Sequence, residues 1–148
     1  MSDLPLREEI DDVYKWKLED IYENEELWEK DFSEVKGKLS LFEEYRGKID
    51  TAEKLLGALK LKDEVTMKVD RLYTYARMRR DEDNSRPRYQ ALADRAMSLV
   101  VELSSRTSFI EPEILSIPEE KIRIFLEQNE GLKLYNHYLE NLLRMKAH

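Results

Sequence analysis

Two histidines, His137 and His148, are the only imidazoles in the chain, and there is no cysteine. A metal held in a helical bundle needs several His and Glu at i, i+3 or i+4 spacing, so that the ligands share one helix face. His137 has Glu140 three residues on but no second histidine within a helical turn. It reads as a surface or part-buried side chain. Neither the Gly-x-Ser-x-Gly nucleophile elbow nor a Gly-rich phosphate loop occurs. No catalytic, cofactor-binding or metal-ligating residue is assigned to this chain.

Two other groups bear polar chemistry. Arg77, Arg79, Arg80, Arg86 and Arg88 form a dense cationic run that could meet phosphate or nucleic acid. Asp81, Glu82 and Asp83 interrupt it, and Arg77–Asp81 and Arg79–Asp83 have the four-residue spacing of helical ion pairs. A solvated, ion-paired tip is the better reading. Tyr73, Tyr75 and Tyr89 could line a peptide groove, since tyrosine offers apolar area plus one hydrogen bond. Tyr73 and Tyr89 instead fall near facing helical stripes, which favours core or boundary packing.

The elements that must position these residues are helical. In a chain of 148 residues, 41% are hydrophobic and 39% charged, with four Gly and four Pro. The charged share is well above the ~25% of ordinary domains. Compact folding of such a length buries roughly 68–70% of the unfolded surface. A net charge of −7 discourages nucleic-acid and anionic-membrane partners. Without cysteine no disulfide framework exists. No apolar run approaches the ~20 residues of a membrane span. Met1-Ser2-Asp3-Leu4-Pro5 lacks a basic-then-apolar leader pattern, so no secretory signal is expected.

Periodicity predicts an all-α fold, an antiparallel helical hairpin or bundle of about five to six helices with no β-sheet. Residues 1–15 read as extended or disordered, and 16–148 as one helical domain. Trp16 to Tyr22 carries two aromatics and two aliphatics and is expected to dock. Asn24 is a helix cap, and Trp28, Phe32, Val35, Leu39 and Phe42 form one stripe ending before Gly47. Thr51 caps a helix with Leu55, Leu56 and Leu59 on its face, and any break after it is expected near Leu59–Lys62. Leu61, Val65, Val69, Leu72 and Ala76 follow. Pro87, after Asp83-Asn84-Ser85-Arg86, marks a turn between arms at 61–82 and 88–107. Ser116-Ile117-Pro118-Glu119 reads as a capping box. A last helix from about Leu132 presents Leu134, Tyr138, Leu142 and Met145, widened by Leu139 and Leu143. That face predicts self-association, most simply a homodimer.

Four blocks carry a resemblance. They are Trp16-Lys17-Leu18-Glu19-Asp20-Ile21-Tyr22 with Trp28; Tyr75 through Asp83; Tyr89-Gln90-Ala91-Leu92-Ala93-Asp94-Arg95-Ala96; and Ser108-Phe109-Ile110-Glu111-Pro112-Glu113-Ile114-Leu115. In order and spacing they resemble the N-terminal region of oligoendopeptidase F, a thimet-oligopeptidase-like zinc metallopeptidase family. The resemblance implies a cytoplasmic parent that hydrolyses short peptides inside a helical channel, with the N-terminal helices forming part of one wall. It implies zinc bound by a His-Glu-x-x-His motif and a further glutamate, all C-terminal of the matching region. None of these residues can be carried onto this chain. The expectation is a non-catalytic N-terminal helical domain, a fragment whose partner is the missing C-terminal catalytic domain. A free-standing helical interaction module is the alternative.

Overall fold

The computed structural model describes residues 20–83 and 85–147. The expectations for residues 1–15 and for Trp16–Glu19 lie outside them. Six α-helices form among the described residues: α1 (Glu25–Lys38), α2 (Ala52–Glu82), α3 (Pro87–Thr107), α4 (Ile110–Ser116), α5 (Glu119–Gln128) and α6 (Asn136–Ala147). Short 3-10 turns at Leu39–Glu44 and Glu130–Tyr135 complete the set. No strand occurs among the described residues, and no helix there is long and apolar enough to cross a membrane.

Local chemistry explains the starts and stops. The Asn24 side-chain oxygen accepts the Leu27 N–H at 3.0 Å, and Glu25 and Glu26 occupy the positive end of α1. Thr51 Oγ1 accepts the Lys54 N–H at 3.1 Å and caps α2. Gly47 turns the chain at φ +72°, a left-handed conformation that disfavours any side chain.

Three sequence expectations are corrected. α2 has no break near Leu59–Lys62: Leu55, Ala58, Leu59, Val65 and Val69 are all buried at unbroken helical spacing. The first hairpin arm is therefore Ala52–Glu82. The capping box at Ser116 does not form. Pro118 occupies the cap without a side-chain bond, while the Ser116 hydroxyl donates back to the Glu113 carbonyl at 2.6 Å and closes α4. The last helix begins at Asn136, after a 3-10 turn in which Asn129 Oδ1 accepts the Gly131 N–H at 2.9 Å.

The chain divides into two compact units. Unit one comprises residues up to Gly37 with Thr66–Glu102, and unit two comprises Lys38–Val65 with Leu103–His148. In unit one Trp28 is fully buried. Its Nε1 donates to the Leu72 carbonyl at 2.9 Å, and its ring stacks on Phe32 with centroids 5.2 Å apart. Arg95 lies over both rings and grips Glu29 with two hydrogen bonds of 2.6 and 2.8 Å. Arg79 meets Tyr89 near the turn, while Leu72 and Arg95 meet the same Trp28 further from it. That order makes these arms of α2 and α3 antiparallel. Tyr22, the described end of the expected docking segment, is buried. It donates to Asp31 at 2.5 Å and sets its ring edge against Tyr75.

In unit two α5 packs on the 130–135 turn, and both that turn and α4 pack on α6. Leu132, Leu139, Leu142 and Leu143 are buried with Ile114, Ile122 and Phe125. Half of the apolar face predicted to drive dimerisation is thus covered within the unit. Leu134 and Met145 are not: they remain 84% and 64% exposed.

Tyr135 donates to Asp63 Oδ2 at 2.6 Å. Burial, and then that bond, push its hydroxyl up to about 12 from an ordinary 10.0. Unfolding therefore favours proton loss above pH 10, so this bond's contribution is complete below pH 10 and lost as pH rises towards 12. The melting temperature should fall on titration through that window, and the fall should be shallower in Tyr135→Phe. Equal slopes for the two proteins would contradict the assignment.

Candidate functional site

The most polar constellation is the hairpin tip of unit one. α3 opens at Pro87, whose fixed φ suits a first helical turn. The turn ahead of it is held by the Arg86 N–H to the Asp83 carbonyl at 3.3 Å, and by the Ser85 hydroxyl to Asp83 Oδ1 at 2.5 Å. Arg86 Nε pairs with Asp83 Oδ2 at 2.8 Å. The Ser85 hydroxyl, and then Arg86, hold the Asp83 carboxyl below its usual range.

Tyr89 follows and is buried, with three guanidiniums around its ring. Arg79 lies 4.9 Å from the ring centroid, Arg88 5.8 Å and Arg86 6.0 Å. Glu25, at the start of α1, meets both Arg79 and Arg88. The Arg79 contacts to Glu25 (3.3 Å) and Glu82 (3.4 Å) are long for charge-assisted bonds, which usually run 2.7–2.9 Å. The Tyr89 ring and its hydroxyl, at 3.2 Å, hold the same guanidinium. Burial works against the Arg79 charge. The Tyr75 and Tyr89 hydroxyls and the Glu25 carboxylate outweigh it and hold the guanidinium above its ordinary range. Burial likewise raises the Tyr75 hydroxyl. Arg79 Nε is buried without a hydrogen-bond partner among the described residues.

The ion-paired reading of the arginine run holds, with different partners. Arg79 pairs with Glu25 and Glu82, Arg80 with Asp81 and Arg86 with Asp83, while Arg77 lies over Tyr73. The acids are shared out by the turn and by α1, not by the four-residue register. Tyr75 and Tyr89 are buried and Tyr73 is half-buried, so the tyrosines pack as core and boundary. The partners of two residues escaped the sequence reading. Glu25 and Arg95 act across 63 and 66 positions of sequence, and helical periodicity carries no signal at that range.

No three of His, Asp and Glu converge to hold a metal ion among the described residues. His137 is exposed, its Nε2 3.3 Å from the Asn141 amide nitrogen. These side chains do not fit zinc. A cleft of about 530 Å³ opens beside Tyr22 in unit one, walled by Leu27, Lys30, Asp31, Glu34 and Arg71 among others. Its described walls hold no histidine, serine or cysteine.

Fold and site together define an all-helical region whose polar clusters pack its helices together. A protein-family model of the N-terminal part of M3 peptidases, described as Oligopeptidase F, matches residues 113–148. Oligopeptidase PepF of Bacillus subtilis is 40% identical over 148 residues, covering 99% of this chain and 22% of the relative. The plasmid-borne oligoendopeptidase F of Lactococcus lactis subsp. cremoris is 35% identical over 144 residues, covering 96% and 24%. The crystal structure of oligoendopeptidase-F from Enterococcus faecium superposes with a TM-score of 0.75 at 28% identity, covering 84% of this chain and 25% of that one. The chain is related to the N-terminal part of the oligoendopeptidase F peptidases and spans about a quarter of their length.

Proposed function

We propose that this chain is the non-catalytic N-terminal helical domain of an oligoendopeptidase F-like zinc metalloendopeptidase, where it helps to wall the channel that admits short peptides. The observation that carries the reading is the 40% identity to a peptidase over 99% of this chain. The rest of such an enzyme supplies zinc and the water-activating carboxylate. This chain supplies walls: long helices that bury most of their apolar side chains in their own cores and carry ion pairs on their outer faces.

Alone, the chain should cleave no quenched fluorescent peptide and retain no stoichiometric zinc after dialysis. Chelator-sensitive turnover rising with chain concentration, in a protease-free preparation, would refute this. A chimaera in which this chain replaces the matching residues of the Bacillus subtilis relative tests the domain's role directly. It should hydrolyse short peptides.

A further inference from the structure

We propose that residues 20–25 are a strap held on the hairpin by one clasp centred on Arg79, so that the strap and the hairpin tip open together and gate the cleft beside Tyr22.

Arg71, Tyr75 and Arg79 follow one another at four-residue spacing in α2, so their side chains lie on successive turns of one side. Each takes hold of the strap. Arg71 donates to the Ile21 carbonyl at 3.1 Å and lies 5.5 Å from the Tyr22 ring centroid. The Tyr75 ring meets the Tyr22 ring edge-on, with centroids 5.4 Å apart. Arg79 meets Glu25 at 3.3 Å.

Arg79 also joins the strap to the tip. Its guanidinium lies 5.9 Å from the Tyr75 centroid and 4.9 Å from the Tyr89 centroid. One route from tip to strap thus runs through rings, Tyr89 to Arg79 to Tyr75 to Tyr22. A second runs through charge, since Glu25 meets Arg88 as well. The three tyrosines are buried, and a covered polar group that loses its partner is costly. Lifting the strap takes Glu25 from Arg79 and Tyr22 from Tyr75. Opening the tip takes Tyr89 from the same guanidinium. Both events strip partners from the one cluster, so each makes the other easier. A helix start that frayed by itself would leave the tip as it was.

The strap supplies Ile21, Tyr22 and Glu23 to the lining of the cleft, beside Leu27, Asp31 and Arg71. Lifting it removes that part of the lining and uncovers the Tyr75 ring. Access to the cleft is therefore set as much by the hairpin tip as by the strap itself.

The experiment is amide hydrogen exchange on the 148-residue chain, read residue by residue, with Tyr22→Leu, Tyr89→Leu and Arg79→Met. Tyr22→Leu should speed exchange at Tyr89 and Gln90, whose N–H groups bond to the Arg86 carbonyl at the tip. The expected gain is about fivefold or more. Tyr89→Leu should speed Leu27 and Trp28, whose N–H groups bond to Asn24 in the first turn of α1, by a similar factor. Arg79→Met should speed both sets. Leu99 and Leu139, in the cores of the two units, should keep their rates. Acceleration confined to the substituted side overturns the proposal. So does equal acceleration at Leu99, which would be unfolding of the whole of unit one. Tyr22→Phe loses only the bond to Asp31 and is read in the same way if the larger changes prevent folding.

Discussion

Replacing Trp28 by alanine is expected to lower the stability of unit one by about 3–5 kcal/mol. Trp28 has no exposed surface, stacks on Phe32 and lies beneath the Arg95 guanidinium. Its Nε1 also donates to the Leu72 carbonyl at 2.9 Å. Two losses add in the alanine variant, and their sizes rank them. The lost hydrogen bond contributes about 0.5–1.5 kcal/mol. The cavity and the lost burial supply the larger share. Trp28→Phe keeps most of the volume and the stacking, so it should cost no more than about half as much. Against a total of about 5–15 kcal/mol for a domain, the alanine variant should be close to unfolding. Urea unfolding followed by far-ultraviolet circular dichroism reads both variants. A loss below about 1 kcal/mol for Trp28→Ala would mean that this ring is not the centre of the unit.

Glu25→Ala should cost about 1–3 kcal/mol, the cost of leaving a covered polar group without its partner. The two arms of Glu25 are unequal. Arg88 is exposed, and water screens its pair with Glu25. Arg79 is mostly covered and stacked on Tyr89, so it cannot swing out to water without leaving the ring. Removing the carboxylate leaves that covered charge with Glu82 as its remaining acid partner in the cluster. Salt separates the arms, since at 1 M the Debye length is ~3 Å and exposed pairs are screened first. The difference between Glu25→Ala and the parent should shrink in high salt without vanishing. A difference that disappears entirely would place the whole effect on Arg88.

Much of this architecture is legible in the sequence wherever one helix face is buried. Trp28, Phe32, Val35, Leu39 and Phe42 step by three and four residues, and all are buried. Asn24 and Thr51 cap the helices they precede because their short side chains reach back to free N–H groups. The reading fails where two local signals compete. Ser116 can cap forwards or bond back to Glu113, and it bonds back. Leu59–Lys62 is where two apolar stripes meet, yet each of its residues tolerates a helix and the buried stripe runs through it. At the hairpin tip the arginine run is obvious, while its main carboxylate is not. Glu25 comes to Arg79 across 54 residues, a pairing fixed only by how α1 packs on α2 and α3 within unit one.

The central claim is that this chain supplies a wall, and other residues of the enzyme supply the chemistry. The most direct measurement is the specificity constant, on one short peptide, of the Bacillus subtilis relative and of the chimaera carrying this chain in its matching region. The account predicts values within roughly tenfold of each other, a difference of about 1.4 kcal/mol in transition-state stabilisation. A chimaera that is folded and yet shows no turnover above the relative lacking this region would contradict it.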